Sequence, residues 1–409
     1  MQLTVAYDPL QQPFDLTWPQ VRADPYPYYQ ALRDRDPVHQ GAYGLWYVSR
    51  HRDVAMVLGD PRFGKRGFAN LFRQNVGAES PLGRMADTFL FLMDPPAHTD
   101  LYRRTHQAFS AIFTRGLTER IQAIADACLD RARAAGNHMD IISQYSFPLS
   151  MSVICDLLAL PEEDRGLLRS WTTAITPTVD PVVTPEIVAR GNQAMASFNA
   201  YFRHHIARRR ASSPRDDLLD ALLASLTERE LPTMAMVMLV AGHENLTNLI
   251  GNAVLALLRH PQELALLRGN LAHTAFLKGA VEELVRYDSS TQISHREALE
   301  DVPIGDRTVP ADSVVITLLG SANRDEDLFA EGSILDLLRP NGNRHLSFAD
   351  GPHICLGAPL GRLEAQIAIR TLLQRLPALE LAVDPAELEW QPTSLFHGLR
   401  SLPVSYQLN

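Results

Sequence analysis

Phe348-Ala-Asp-Gly351-Pro-His353-Ile-Cys355-Leu-Gly357 places one cysteine between glycines and runs, from Ala358, into a segment of helical periodicity. A cysteine there sits at a helix N-terminus, a position that lowers a thiol pKa and makes the sulfur a good metal ligand. Gly351 and Gly357 let the backbone come close to something flat and bulky. A bare Cys-x-Gly would read as a buried cysteine in a turn; the full ten-residue pattern is what carries information. Cys355, His353 and His345 are also zinc-ligand types, but structural zinc sites bring paired cysteines at short spacing, and Cys128 and Cys155 stand far away in sequence.

Around this stretch lies an ordinary folded composition. The chain has 409 residues, 46% hydrophobic and 21% charged, which excludes disorder, collagen-like repeats and a small disulfide scaffold. A net charge of -9 argues against nucleic acid or an anionic membrane as the main partner. Three cysteines make no disulfide framework and suggest a reducing compartment. No basic, apolar leader and no uninterrupted apolar run of about 18 residues is seen, so a cytoplasmic protein without a membrane anchor is expected. No repeat or low-complexity linker divides it, and a single domain over 1–409 is expected. Helical periodicity covers 116–134, 215–229, 261–287 and 357–376, while 44–49, 313–319 and 401–406 read as short strands. The fold class is mainly α with a smaller β component.

Three further stretches stand out. The segment Pro232 to Arg259 reads as one long helix, apolar nearly all round and therefore interior, yet its middle is Ala241-Gly-His-Glu-Asn-Leu-Thr-Asn248. Gly242 alone costs about 1 kcal/mol against alanine in a helix. Positions 241 and 245 share a face and Glu244 points about 100° away, so one of the two polar residues faces any given point. A buried helix that breaks its own pattern marks a candidate site. Glu283 and Arg286 are spaced to pair on one helix face. Asp94-Pro-Pro-Ala-His98-Thr-Asp-Leu-Tyr102-Arg103-Arg104 reads as a capped helix rich in donors for an anion. His243-Glu244 is not a zinc-protease motif, since Thr247 stands where the second histidine would be.

In this order, and over nearly the whole chain, these stretches resemble the cytochrome P450 family, the haem-thiolate monooxygenases. The resemblance implies the cytochrome P450 fold, with a long central helix over haem b, and O2 as co-substrate. Phe348, Gly351, Cys355 and Gly357 match the haem-binding loop, which makes Cys355 the iron ligand, its thiolate favouring O–O cleavage. Glu283 and Arg286 match a structural pair; Ile334 stands where an arginine is usual as its third partner, with Arg339 nearby, and the third partner stays open. His98 matches a propionate-binding histidine; Tyr102 stands where an arginine is usual, with Arg103 displaced by one, and Arg296 and His353 complete the set. Ala241 and Gly242 match the small residues beside the porphyrin, and Glu244 and Asn245 the acid and alcohol that serve oxygen activation, Asn245 replacing the usual threonine.

Substrate-facing segments are implied at 64–92, 168–190, 237–245, 289–294 and 394–397, with Phe91, Leu92, Val240, Ala241, Ile293 and Phe396 as an apolar lining. The expected activity is hydroxylation or epoxidation of a lipophilic small molecule of the polyketide, macrolide or terpenoid kind, in bacterial secondary metabolism. Electrons would come from a ferredoxin and ferredoxin reductase, met by a basic patch drawn from Arg103, Arg104, Arg344 and Arg362; a monomer is expected. Asn245 also suggests a peroxide-driven, coupling or rearranging enzyme of the same fold. A haem-dependent binding or sensor protein without turnover is the reading from another class.

Overall fold

The computed structural model describes residues 7–110, 116–180, 182–215 and 217–408. Packing divides the chain into two units, one of Met1–Gly64, Ala125–Phe147 and Asn245–Asn409, the other of Lys65–Ile124 and Pro148–Glu244. Helices dominate, with small sheets of five, three and two strands among the described residues. None of the described helices is long and apolar enough to cross a membrane.

The five-stranded sheet of the first unit runs in the order Val38–Gln40, Trp46–Val48, Val314–Leu318, Ile293–Ala298, Phe63–Gly64. Val314-Val-Ile-Thr-Leu318 is β-branched for most of its length and suits a buried strand. Its register sets Ile293 opposite Leu318 and Arg296 opposite Val315. The Ile293–Ala298 strand is buried at every position although Ser294, His295, Arg296 and Glu297 are polar, so its side chains need partners inside the protein. Val54, Val57 and Leu58 of the His51–Gly59 helix pack with Trp46, Val48 and Val315, each fully buried side chain worth roughly 1.5–3 kcal/mol. That packing fixes the end of the helix against the sheet. The 401–406 segment pairs as Pro403–Ser405 between His138–Asp140 and Glu380–Leu381.

The expected 261–287 helix is two helices, Pro261–Gly269 and Thr274–Tyr287. His273 caps the second, its ring nitrogen accepting the Phe276 N–H, so the apolar periodicity continues across a break made by local capping. Glu283 and Arg286 pair as read, at 2.6 and 2.8 Å, with both side chains fully buried. The third partner is Arg339, whose Nε donates to Glu283 at 3.1 Å. Ile334 contributes its carbonyl to both arginines. A backbone acceptor carries no side-chain signature, so the part played by Ile334 cannot be read from its residue type.

In the second unit the Pro185–Arg210 helix packs on Arg165–Ile175, and the Ala97–Ser110 helix on Leu218–Ser225. The long helix runs Glu230–Arg259, two residues longer than expected at its start. Thr227 and Glu230 explain the difference: each side chain accepts the other's backbone N–H, at 3.3 and 2.8 Å, a capping box. The division between the units falls within this helix, after Glu244.

Candidate active site

Cys355 hangs on a loop held by its own backbone. Its N–H donates to the Phe348 carbonyl at 2.8 Å, and the Asp350 side chain accepts the Gly351 N–H at 2.7 Å. Gly351 has φ +67, and a Cβ there would lie 2.6 Å from the Leu58 carbonyl oxygen, so glycine is required by both conformation and space. The close approach at Gly351 is thus to the protein's own backbone. At Gly357 a Cβ would stand 3.9 Å from the Cys355 sulfur, and its absence leaves that side of the sulfur uncovered. Phe348 lies under the Arg362 guanidinium at 4.4 Å, and Arg362 is fixed by Glu282 at 2.7 and 3.0 Å. Burial opposes ionisation of Glu282, but hydrogen bonds from His345 and Arg362 outweigh it and hold its pKa at about 2.

Cys355 is exposed as a residue, while protein atoms crowd its thiol. That crowding pushes the thiol pKa up; the Gly357 N–H, the Arg362 charge and the Ala358 N–H offset it only in part. The helix N-terminus therefore does not lower this pKa overall, contrary to the sequence expectation, because desolvation exceeds the stabilisation that two amides supply. A metal ion on the sulfur would deprotonate it outright.

The Leu58 carbonyl that meets Gly351 also accepts an Arg296 N–H at 3.4 Å. Arg296 is almost wholly buried and bonds further to Ser294 and the His295 carbonyl, at 3.1 and 2.9 Å. His353 is half-buried in the turn Gly351–His353. The first unit thus combines an exposed cysteine, its sulfur under amide donors, with a guanidinium and an imidazole suited to carboxylates. This donor set fits an iron porphyrin.

Asn245 begins a ladder on the long helix. Its Oδ1 accepts the Thr291 hydroxyl at 2.7 Å. Asn248 accepts from Gln391 at 3.0 Å, and Asn252 donates to the His397 carbonyl at 2.9 Å. Spacings of three and four put these amides on one helical face, where they receive the 391–397 segment. Thr291 bridges to Phe396, so Asn245, Thr291 and Phe396 are joined. Ile293 is buried at the start of its strand.

The remaining candidates belong to the second unit. Ala241 is exposed in the middle of an otherwise largely buried helix, and Val240, Gly242 and Glu244 are half-buried. A Cβ at Gly242 would lie 2.9 Å from Ile154, so this glycine answers close packing on the Phe147–Leu157 helix. His243 is buried, its Nδ1–H donates to the Leu239 carbonyl at 2.6 Å, and burial pushes its pKa down. The Glu244 carboxylate lies 3.6 Å from its Nε2 and opposes that shift in part.

His98 is buried on the Ala97–Ser110 helix with Tyr102 beside it, ring centroids 5.7 Å apart. Arg103, one residue out of phase, is exposed and pairs with Asp100 at 2.8 Å instead of joining that face. Arg104 is committed to Glu230 at 2.7 Å. Phe91 is half-buried with the Lys65 ammonium 4.4 Å from its ring, and Leu92 is buried. Residue 181 of the 168–190 segment lies outside the described residues.

Sequence reasoning missed Thr291 and Lys65. Lys65 is fully buried, and no periodicity signals a lysine turned inward. Thr291 lies within a flagged segment, 289–294, but its partner is 46 positions away.

A family model described as Cytochrome P450 matches residues 173–408. The biotin biosynthesis cytochrome P450 of Bacillus subtilis (strain 168) is 35% identical over 94% of this chain and 96% of its own length. The cytochrome P450 monooxygenase PikC of Streptomyces venezuelae is 36% identical over 94% of this chain and 92% of its own. The crystal structure of P450BioI in complex with hexadec-9Z-enoic acid ligated acyl carrier protein superposes with a TM-score of 0.88, at 34% identity over 95% of this chain and all of that one.

Proposed function

The chain belongs to the cytochrome P450 family and is a monooxygenase, and we propose that it uses haem b and O2 to hydroxylate or epoxidise a lipophilic small molecule with electrons from a ferredoxin and its reductase. The observation that carries the reading is the Cys355 loop, an exposed cysteine with two backbone N–H groups aimed at its sulfur. When bound, thiolate-ligated haem supplies the electron density that favours O–O cleavage. Cys355 would hold the iron, Phe348 and Gly357 would frame the sulfur, and Arg296, His353 and His98 would meet the propionates. Asn245 would orient a water, and Glu244 would pass protons to it from solvent. A neutral amide does not itself titrate, so geometry matters more than acidity at Asn245.

By the family resemblance, Val240, Ala241, Ile293, Phe396, Phe91 and Leu92 are the apolar residues proposed to face the substrate. The fatty acyl ligand of the carrier-protein complex among the relatives supports a long, apolar substrate. Arg344, exposed beside the cysteine loop, and Arg362 would steer an acidic ferredoxin.

The test is spectroscopic first. Reduced protein with carbon monoxide should show the strongly red-shifted Soret band of thiolate ligation; a histidine-like spectrum in freshly reduced protein would overturn the reading. Lipophilic compounds that bind should move the iron from low to high spin. Product formed in proportion to reductant then separates a catalyst from a sensor.

A further inference from the structure

The half-buried Asn245 side chain is held by a residue from another part of the chain. Its Oδ1 accepts the Thr291 hydroxyl at 2.7 Å, a normal length for an O–H···O bond. Thr291 is anchored in turn. It bridges to Phe396, the Gln292 N–H donates to the Leu395 carbonyl, and the His397 N–H donates to the Ser290 carbonyl, each at 2.8 or 2.9 Å. The threonine also has few side-chain rotamers, being β-branched. An asparagine has the opposite character. Its terminal torsion is soft and roughly two-fold, so without a partner the amide presents its oxygen or its NH2 almost interchangeably. A hydrogen bond to an anchored threonine restricts that torsion and holds the side chain in place.

We propose that Thr291 is a positioning residue for Asn245: its hydroxyl fixes where the Asn245 side chain sits, and through it the polar surroundings of the haem iron. This assignment rests on the haem-thiolate reading above.

The experiment uses the haem-loaded protein and carbon monoxide as the probe. The infrared band of carbon monoxide on the reduced iron responds to nearby hydrogen-bond donors and needs no substrate. T291V should shift or split that band by more than its native width, T291S should restore it, and N245A should shift it so that the T291V/N245A double variant adds nothing further. With an accepted substrate, T291V should lower product per reductant by roughly two- to tenfold, the range of one lost hydrogen bond. An unchanged band in T291V, or shifts that add in the double variant, would overturn the proposal. T291S guards against a folding defect: if it loads haem normally yet shows the same displaced band as T291V, the hydroxyl has no positioning role. Lack of the thiolate Soret band in the unaltered protein would instead remove the haem reading, and this assignment with it.

Discussion

The cysteine loop and the polar middle of the long helix are built in opposite ways. The loop closes on itself: Cys355 bonds to Phe348, Asp350 to Gly351 and Ala349 to Leu346, all within ten positions. On the helix, by contrast, His243 meets Thr172, Asn245 meets Thr291, Asn248 meets Gln391 and Asn252 meets His397, separations of 71, 46, 143 and 145 positions. A site made of local contacts is specified by residue type and spacing. One made of distant contacts exists only after folding, and a change in either partner removes it.

The largest effect should come from breaking the loop's one chemical function. Cys355→Ser should abolish the thiolate Soret band of the reduced carbon monoxide complex even where haem is retained, and persistence of that band would show that the sulfur is not the ligand. Next comes the frame behind the loop. Arg286→Ala would remove one of the two arginines on the fully buried Glu283 and leave Arg339 at 3.1 Å, so chemical denaturation of the haem-loaded protein should read a loss toward the lower end of the roughly 3–5 kcal/mol typical of a broken buried pair.

On the helix the effects should be smaller. Asn245→Ala should lower product per reductant and release peroxide, by roughly tenfold or less if one hydrogen bond is at stake, while Asn245→Thr should stay active. Full coupling in the alanine variant, measured with an accepted substrate, would remove any proton-delivery role. The smallest effect concerns Glu364, buried on the Ala358–Arg375 helix, with no hydrogen-bond partner for its Oε2. Burial pushes its pKa well up, so the folded protein holds this proton where the unfolded chain releases it. Its contribution to stability is therefore greatest below the ordinary carboxylate pKa and declines as pH rises toward the folded value. Glu364→Gln should flatten that decline; an unaltered pH profile of the melting temperature would show that the carboxyl is solvated after all.

Much of the molecule was legible because its signals are short-range. The 357–376 periodicity became Ala358–Arg375, and 313–319 became Val314–Leu318. Glu283 and Arg286 pair as their spacing requires. What went astray depended on partners from elsewhere. Arg339 completes the pair whose third partner the sequence left open, His273 breaks an apolar run into two helices, and Arg103 turns to Asp100. The direction of the Cys355 pKa also differs from expectation, because a sequence displays the helix N-terminus but not how much water the fold removes.

The sequence by itself determined the mainly helical class, the glycine-bounded cysteine and the anomalous helix, since backbone conformation, periodicity and pair spacing act over a few residues. Tertiary structure alone decided that Asn245 is held by Thr291, that Gly351 meets Leu58, that Gly242 meets Ile154 and that Lys65 and Glu364 are buried. Those outcomes depend on desolvation and on contacts between distant segments, and neither exists until the chain has packed.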